Sequence, residues 1–323
     1  MTSPTPPDPS ELVDQALAGN RRAVGRLLTF IEQGGAAADA VTRLMFPHSK
    51  QAEVIGITGP PGAGKSTLVA GVVRALTDGG RRPAVIAVDP SSPLTGGAIL
   101  GDRVRMAAVD TTAFIRSVST RGHAGGLALS IPGAVRVLDA AGYDPVVIET
   151  VGVGQVEVDV ASIADTTVVV ATPGMGDAVQ ANKAGLMEVA DVFVVNKADR
   201  PGAADTRRDI ELMLDLSHVT GAERHGYRPP IISTTATEET GVDELIAAIS
   251  AHRTWLETTG HMSARRTERA RFELASRINQ QIDARLRALL ATDSADTAAT
   301  EVADGRQSPV AAASTLLGRL RLN

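Results

Sequence analysis

Seven short apolar runs rich in valine and isoleucine divide the middle of this chain, and they alternate with segments whose apolar residues have helical spacing. Continuous apolar runs of this length suit strands that are buried on both faces, and their alternation with helices predicts a mostly parallel sheet. We therefore expect an α/β fold of three layers, with helices on both faces of the sheet. The predicted strands are 53–58, 83–89, 113–119, 145–150, 166–172, 191–196 and 229–234.

Helical patterns flank this central region on both sides. Apolar residues recur at spacings of three and four between residues 10 and 46, which predicts two or three short helices. Residues 263–290 are highly charged and carry one narrow apolar stripe, which a helix would pack on another surface. That surface is either the helix's own domain or a second copy of the chain. We favour a dimerisation arm, because the segment follows the last predicted strand and helix. The stripe consists of Leu274, Ile278, Ile282, Leu286 and Leu289.

These patterns predict three parts of the chain. A tail and helical extension occupy residues 1–48, the α/β domain occupies 49–260, and a C-terminal helical dimerisation arm with its tail occupies 261–323. Residues 291–308 are rich in aspartate, threonine and alanine, and we expect them to form a mobile connector.

The composition narrows the classes of function. With 323 residues, 43% of them hydrophobic and only 2% aromatic, the chain can bury a sizeable aliphatic core. A formal net charge of −5 argues against nucleic acid as the main partner. Cysteine is absent, which excludes disulfides and thiolate metal sites. Because there is neither a signal peptide nor an apolar stretch of ~20 residues, we expect a cytoplasmic protein without a membrane partner.

Residues 59–67 read Gly-Pro-Pro-Gly-Ala-Gly-Lys-Ser-Thr and match the pattern G-x-x-x-x-G-K-[ST] between a predicted strand and a predicted helix. Glycines let consecutive backbone N–H groups curl around a phosphate, and the positive end of the following helix faces the same anion. We expect Lys65 to reach the β- and γ-phosphates and the Ser66 hydroxyl to ligate Mg²⁺. The rest of the predicted cradle is Gly59, Pro60, Pro61, Gly62, Ala63, Gly64 and Thr67.

The segment Asn196-Lys197-Ala198-Asp199 follows the predicted strand 191–196 and matches the pattern N-K-x-D. The carboxylate of Asp199 can accept hydrogen bonds from N1–H and the 2-amino group of guanine, and adenine offers neither donor. The segment therefore predicts binding of GTP and GDP in preference to ATP. A second loop over the base is predicted where the last strand ends, at Ser233, Thr234, Thr235 and Ala236.

Glu149 ends the predicted strand 145–150, and Gly152 follows it closely. We expect the carboxylate to reach Mg²⁺ and the Gly152 N–H to contact the γ-phosphate, although a solvated carboxylate at a strand end would give the same pattern. Ras-like enzymes have a water-orienting glutamine directly after this glycine. Here the residue is Val153, which predicts slow unassisted hydrolysis of GTP.

Two glycine-containing loops carry further candidates. Asp89 ends the strand 83–89 and Asp102 lies in the loop that follows, so both are candidate Mg²⁺ ligands, with a purely structural role equally open. The loop at 172–185 contains Gln180 and Lys183, which could swing towards a ligand. A plain connector between a strand and a helix is the other interpretation of that loop.

Taken together, the segments GPPGAGKST, VDPSSPLTGGAILGDRVRM, TRGHAGGL, VVIETVGVGQ, PGMGDAVQANKAG and VNKAD resemble the G-protein chaperones of the MeaB/ArgK type. These proteins assist adenosylcobalamin-dependent acyl-CoA mutases, chiefly methylmalonyl-CoA mutase. The resemblance covers about residues 10–290 and implies a P-loop GTPase domain at 49–260 and a homodimer formed through the arm. It also implies that GTP binding gates cobalamin delivery and protects the mutase from inactivation.

The resemblance further implies roles for individual residues. Lys65, Ser66, Asp89, Asp102 and Glu149 would belong to the phosphate and Mg²⁺ site. Gln180 and Lys183 match positions of a switch loop that couples the mutase to GTP hydrolysis, so that a slow GTPase is stimulated by its partner.

Three other functions remain as alternatives. A metallochaperone GTPase of the nickel-enzyme type would carry metal through cysteine or clustered histidine, whereas this chain has no cysteine and six dispersed histidines. A kinase, as in an older transport-kinase label of such proteins, would use ATP, which the N-K-x-D segment disfavours. A scaffold that binds GTP without turnover would carry the same motifs.

Overall fold

A computed structural model of the chain describes residues 9–89, 113–119, 126–150, 156–174, 189–220 and 226–318. All seven predicted strands are present, each close to its predicted bounds. They are β1 (Val54–Thr58), β2 (Ala84–Asp89), β3 (Phe114–Ser119), β4 (Val146–Thr150), β5 (Thr166–Ala171), β6 (Val192–Asn196) and β7 (Ile231–Thr234).

The seven strands form one sheet in the order β3-β2-β4-β1-β5-β6-β7. Every neighbouring pair is parallel, which confirms the predicted parallel sheet. β1 lies between β4 and β5, so the loop that follows β1 emerges near the middle of the sheet. In a parallel sheet the carboxyl ends of all strands meet at one edge, where ligands of α/β proteins bind.

Helices precede, separate and follow the strands. Three short helices precede β1, which agrees with the two or three predicted there, and the long helix predicted after the sheet is present as α9. The helices are α1 (Pro9–Leu17), α2 (Arg21–Gln33), α3 (Gly35–Met45), α4 (Lys65–Asp78), α5 (Gly126–Ala140), α6 (Val156–Ile163), α7 (Ala203–Thr220), α8 (Val242–Thr258), α9 (His261–Leu290), α10 (Asp293–Ala303) and α11 (Pro309–Leu317).

Alternate strand residues point to opposite faces of the sheet, and aliphatic side chains fill both faces. Helices α4 and α8 cover one face, where Leu68 and Leu245 pack with strand residues such as Ile57. Helices α5, α6 and α7 cover the other face, and α1–α3 add a further layer outside α5. A side chain at Gly133 of α5 would crowd Ile31 of α2, so glycine permits this close approach. The predicted three-layer α/β fold is therefore present.

The amino ends of the strands, opposite the ligand edge, are held by buried carboxylates. Asp165 precedes β5 and Asp191 precedes β6, and each accepts a backbone N–H from a neighbouring strand. Arg265 in the second turn of α9 donates to both carboxylate oxygens of Asp191, at 2.8 and 2.5 Å, and Arg269 donates to Asp165. The sequence analysis did not foresee these ion pairs, which attach the start of α9 to the sheet.

Aromatic side chains form a cluster around the junction between α8 and α9. The rings of Trp255 and His261 stack with centroids 4.9 Å apart, and Tyr227 lies 4.8 Å from Trp255. Burial raises the pKa of Tyr227 to about 12, and the negative charge of Asp191 adds to the increase. The neutral phenol is thus the form that the folded protein favours.

The chain divides into two compact units at residues 269 and 270. In the second unit Leu274, Ile278, Ile282 and Leu286 are exposed along α9, and buried Ala295 and Ala312 belong to α10 and α11. The prediction of a mobile connector at 291–308 is wrong, because α10 spans Asp293–Ala303 within it. Its alanines favour helix, and acidic residues in its first turn interact well with the helix dipole. The predicted bounds of the three parts stay a prediction.

Within the described ranges, none of the helices combines the length and the apolar character that a membrane crossing requires.

Candidate nucleotide-binding site

Four predicted site segments lie together at the carboxyl edge of the sheet. They follow or end β1, β4, β6 and β7, and hydrogen bonds join them to one another. Strand order explains the grouping, since β1 is the neighbour of β4 and β6 is the neighbour of β7. The segments are 59–67, 149–150, 196–199 and 233–236.

The loop between β1 and α4 has a shape that glycine dictates at two points. Gly59 has φ +143° and Gly64 has φ +85°, values that other residues rarely adopt. A side chain at Gly59 would collide with the carbonyl oxygen of Val170, and one at Gly64 would collide with the Asn196 amide. The loop is therefore pressed against β5 and β6. Of its other predicted members, Ala63 is buried, Pro60 is partly exposed, and Pro61, Gly62 and Thr67 are exposed.

Lys65 is the first residue of α4 and only 6% of its surface is exposed. Its Nζ donates to the carbonyl oxygens of Gly59 and Pro60, at 2.7 and 2.9 Å. A buried ammonium needs such acceptors. The contacts hold the ammonium at the start of the loop, next to the N-terminus of α4. An anion bound there would be stabilised both by the ammonium and by the helix dipole.

Ser66 and Glu149 form a close pair at the boundary of α4 and β4. The Ser66 hydroxyl donates to Oε1 of Glu149 at 2.5 Å, and Glu149 is only 5% exposed. Hydroxyl and carboxylate oxygens are hard donors of the type that Mg²⁺ prefers, so this pair fits that ion. Asp89 is the last residue of β2, but its side chain lies outside the described part of the structure.

Asn196 ties three of the segments together from a buried position at the end of β6. Its amide Nδ2 donates to the carbonyl oxygen of Ala63 at 2.8 Å. Its Oδ1 accepts from the Thr234 hydroxyl at 3.0 Å and from the Ala236 N–H at 3.1 Å. One side chain thus fixes the phosphate loop relative to the end of β7.

Lys197 and Asp199 complete the segment after β6. Lys197 has φ +59°, which turns the chain, and its Nζ donates to the carbonyl oxygen of Gly62 at 2.7 Å. Asp199 is exposed two residues later, where its carboxylate is accessible to a base. In the neighbouring segment Ser233 is exposed, whereas Thr235 is buried.

Sequence reasoning missed one contact beneath this site. The hydroxyl of Thr150 donates to the hydroxyl of Thr58 at 2.9 Å, and both residues are buried. A signal was available, because a threonine ends each of two aliphatic runs that a parallel sheet can bring side by side.

Four predicted site residues lie outside the described part of the structure: Asp102, Gly152, Gln180 and Lys183. Their roles stay predictions.

The described geometry combines three capacities. The glycine loop, Lys65 and the start of α4 suit a phosphate chain, and the pair Ser66 and Glu149 suits a divalent cation. The third is base recognition, because the 196–199 segment presents a carboxylate while bonded directly to the phosphate loop.

Comparison with known proteins agrees with this arrangement. The family described as methylmalonyl-CoA mutase-associated GTPase MeaB matches residues 24–291. A GTPase-named protein of Pyrococcus abyssi is 48% identical over 266 residues, which are 82% of this chain and 82% of that protein. The mouse protein named methylmalonic aciduria type A homolog, mitochondrial, is 32% identical over 277 residues, 76% of this chain and 67% of that protein.

A crystal structure described as an LAO/AO transport system kinase shares the fold with a TM-score of 0.70 and 27% sequence identity, over 96% of each chain. The family match covers most of the chain and includes every segment of the candidate site. The protein is therefore a P-loop GTPase, and it belongs to the MeaB family of methylmalonyl-CoA mutase-associated GTPases.

Proposed function

We propose that this protein is a GTP-hydrolysing chaperone that gates adenosylcobalamin loading and protects or reactivates methylmalonyl-CoA mutase or a related acyl-CoA mutase. The observation that most supports its dependence on GTP is the direct bonding of the N-K-x-D segment to the phosphate loop, through Asn196 to Ala63 and Lys197 to Gly62. A ligand that fills both parts needs a guanine base and a phosphate chain, as GTP and GDP have. The family description supports the connection with a mutase.

In this proposal each described residue has one task. Asp199 accepts the N1–H and 2-amino protons of guanine, and Lys65 neutralises charge on the β- and γ-phosphates. The backbone N–H groups of residues 62–67 cradle the phosphates, since Pro60 and Pro61 carry none. Gly152, which lies outside the described residues, is proposed to contact the γ-phosphate. Residues 233–236 close over the base.

Ser66 and Glu149 would hold Mg²⁺, with Asp89 and Asp102 as further candidates. Bound Mg²⁺ would neutralise negative charge on the β- and γ-phosphates during transfer to water. The direct Ser66–Glu149 hydrogen bond supports this assignment, since it places two suitable oxygens together beside the phosphate loop.

Hydrolysis by the protein alone is proposed to be slow, because Val153 cannot orient water in the way a glutamine does. The partner mutase would speed it by bringing Lys183, with Gln180 on the same loop, towards the phosphates to stabilise developing charge. The family description supports a mutase partner. The exposed stripe on α9 supports a homodimer, and the cytoplasm is the compartment expected from the sequence.

GTP turnover with and without the mutase of the same organism tests the proposal. We expect slow turnover alone and faster turnover with mutase, while Lys183→Ala keeps GDP binding and the slow rate but loses the stimulation. Arg200→Ala is a control, since it removes an exposed cation that no task here requires. A mutase that neither binds nor accelerates would contradict the chaperone function.

A further inference from the structure

A tight turn at residues 237–241 folds back on the predicted base loop, residues 233–236. The N–H of Thr235 donates to the carbonyl oxygen of Thr240 at 3.0 Å, which joins the two segments. Gly241 has φ +80°, and a side chain at this position would collide with a carbonyl oxygen of the base loop. The turn and the base loop are therefore packed together, so that a shift of the turn would shift the loop.

An ion pair attaches this turn to helix α4. Nη1 of Arg74 donates to Oε1 of Glu239. Glu239 has φ +57°, a left-handed value that residues other than glycine rarely adopt, so the pair holds the turn at a point of unusual backbone conformation. Gly71 lies one helical turn before Arg74, and a β-carbon there would lie 3.3 Å from Cγ2 of Val242, the residue after the turn. Because Gly71 has no side chain, α4 can lie close to the turn.

The same helix reaches the predicted phosphate site at its other end. Helix α4 begins at Lys65, whose Nζ donates to carbonyl oxygens of the phosphate loop. At a rise of about 1.5 Å per residue, Arg74 lies about 13 Å farther along the helix axis, too far to contact a phosphate bound at Lys65. Helix α4 therefore contacts the phosphate loop through Lys65 and the turn that supports the base loop through Arg74.

The exposure of the ion pair separates its effect on position from its effect on stability. The side chains of Arg74 and Glu239 are 43% and 47% exposed, and ion pairs with this exposure contribute little to the free energy of unfolding. The two residues are 165 positions apart in the chain, so their attraction acts on the place of the turn relative to α4. A change in the pair should therefore move the base loop while the fold stays stable.

We propose that Arg74 is a positioning residue for guanine recognition, acting through its ion pair with Glu239. The pair holds the turn against α4, and the turn holds residues 233–236 where they close over the base. The inference rests on the proposed function, which assigns these residues to the base. It adds a residue that touches neither base nor phosphate.

The test reverses the charges of the pair one at a time and then together. Arg74→Glu places two carboxylates opposite each other, Glu239→Arg places two guanidinium groups there, and the double variant restores an ion pair. The matched control is Arg228→Glu, because Arg228 forms an exposed ion pair with Asp215 before the amino end of β7, whereas the base loop lies at its carboxyl end. The measurements are the Kd and dissociation rate of GDP, the Kd of ADP and the unfolding midpoint.

For Arg74→Glu we expect an affinity for GDP about three- to tenfold lower than that of the unmodified protein, because an attraction is replaced by a repulsion of similar size. The dissociation rate of GDP should rise accordingly. The affinity for ADP should change by less than about twofold, since adenine lacks the groups by which guanine is recognised. Glu239→Arg should reproduce the effect, and the double variant should return to within about twofold of the unmodified protein. Arg228→Glu should leave both affinities unchanged, and all unfolding midpoints should agree.

An unchanged affinity of Arg74→Glu for GDP would overturn the inference. So would equal losses for GDP and ADP, or a loss that the double variant does not recover, since these would show a merely structural effect of the substitution. If Arg74→Glu does not fold, Glu239→Arg decides by the same measurements. An unmodified protein that binds neither GTP nor GDP would overturn the proposed function as well, whereas normal binding by both the unmodified protein and Arg74→Glu would overturn only the inference.

Discussion

The Nζ atom of Lys197 lies 2.7 Å from the carbonyl oxygen of Gly62, so a side chain at the end of β6 holds the outer part of the phosphate loop. Asn196 holds the inner part through the carbonyl oxygen of Ala63 at 2.8 Å. The two neighbouring residues thus connect the segment predicted to recognise the base with the segment predicted to bind phosphate. Both contacts lie within the chain itself, so the protein's own side chains set the position of the loop.

Replacing Lys197 should test this connection. Lys197→Met keeps the aliphatic stem and removes the donor, and a hydrogen bond from a charged group contributes about 1.5–3 kcal/mol. Because this contact is exposed, we expect the lower end of that range, which means about a tenfold weaker affinity for GDP and GTP alike. Titration with a fluorescent guanine nucleotide would measure it. Arg200→Met, an exposed cation of the same turn, should bind normally. Equal affinities for the two variants would show that the contact does not preorganise the loop.

Asp199→Ala should weaken the preference for guanine over adenine nucleotides. The variant loses the acceptor for guanine N1–H and the 2-amino group, while its phosphate contacts remain. For the variant we expect a lower affinity for GDP and a smaller ratio between the affinities for GDP and ADP. In the unmodified protein ATP should compete poorly with GDP. Competition against labelled GDP measures both. Asp205→Ala removes an exposed carboxylate from the first turn of α7 and serves as the control. ATP that displaces GDP from the unmodified protein at equal concentration would refute recognition of guanine.

Lys65→Ala should abolish productive binding of GTP. The ammonium is almost fully buried and is held by two carbonyl groups, so no other described side chain of the loop can replace its charge at that place. The γ-phosphate would then lack its positive partner in a partly desolvated site. Single-turnover hydrolysis and GTP titration measure the effect, and circular dichroism checks that the fold is kept. Normal hydrolysis by Lys65→Ala would place the catalytic cation elsewhere.

The sheet and the candidate site differ in how far the sequence predicts them. The inner strands β1, β4, β5 and β6 are mainly aliphatic and buried along their whole length, which leaves few other structures for such runs. All seven strands were predicted, including the less buried edge strand β7. The motif segments were predicted to bind one nucleotide, and the structure brings them together because each follows or ends a strand of a parallel sheet. The Thr58–Thr150 bond was missed because it joins residues 92 positions apart, and its partners became evident only with the strand order.

Other differences between the predictions from sequence and the structure have local causes. The connector at 291–308 was predicted from polar composition, but alanine content and acidic residues in the first turn make 293–303 a helix. The ion pairs of Arg265 and Arg269 could not be foreseen, because charges along α9 look alike until the sheet shows which of them meet buried carboxylates. Arg265 and Asp191 are 74 positions apart.

Removing the arm should separate a dimer into monomers, and the structure shows where to cut. A chain ending at residue 262 would lose Arg265 and Arg269 and leave buried Asp191 and Asp165 without these partners. A chain ending at residue 269 keeps both arginines and removes the exposed stripe that begins at Leu274. We expect the full chain to be a homodimer and the 1–269 chain to be a monomer that binds GDP. Light scattering measures the mass, and a monomeric full chain would contradict the role of the arm.

Arg265→Ala should lower the free energy of unfolding far more than the loss of a surface ion pair. Arg265 is 19% exposed and Asp191 is 3% exposed, so the variant leaves a buried carboxylate without its cation, which typically costs about 3–5 kcal/mol. Arg228→Ala is the matched control. Nη2 of Arg228 lies 2.6 Å from Oδ1 of Asp215, but the two side chains are 50% and 59% exposed. Ion pairs exposed to this extent contribute about 0–1 kcal/mol to stability.

Urea denaturation of both variants measures the difference between the buried and the exposed pair. Asp191→Asn combined with Arg265→Ala should recover part of the loss, because a neutral amide is less costly to bury than an unpaired carboxylate. If Arg265→Ala destabilises the protein no more than Arg228→Ala, water must reach the Asp191 carboxylate in the variant and solvate it in place of Arg265. The attachment of α9 to the sheet would then rest on its other contacts, including that of Arg269 with Asp165.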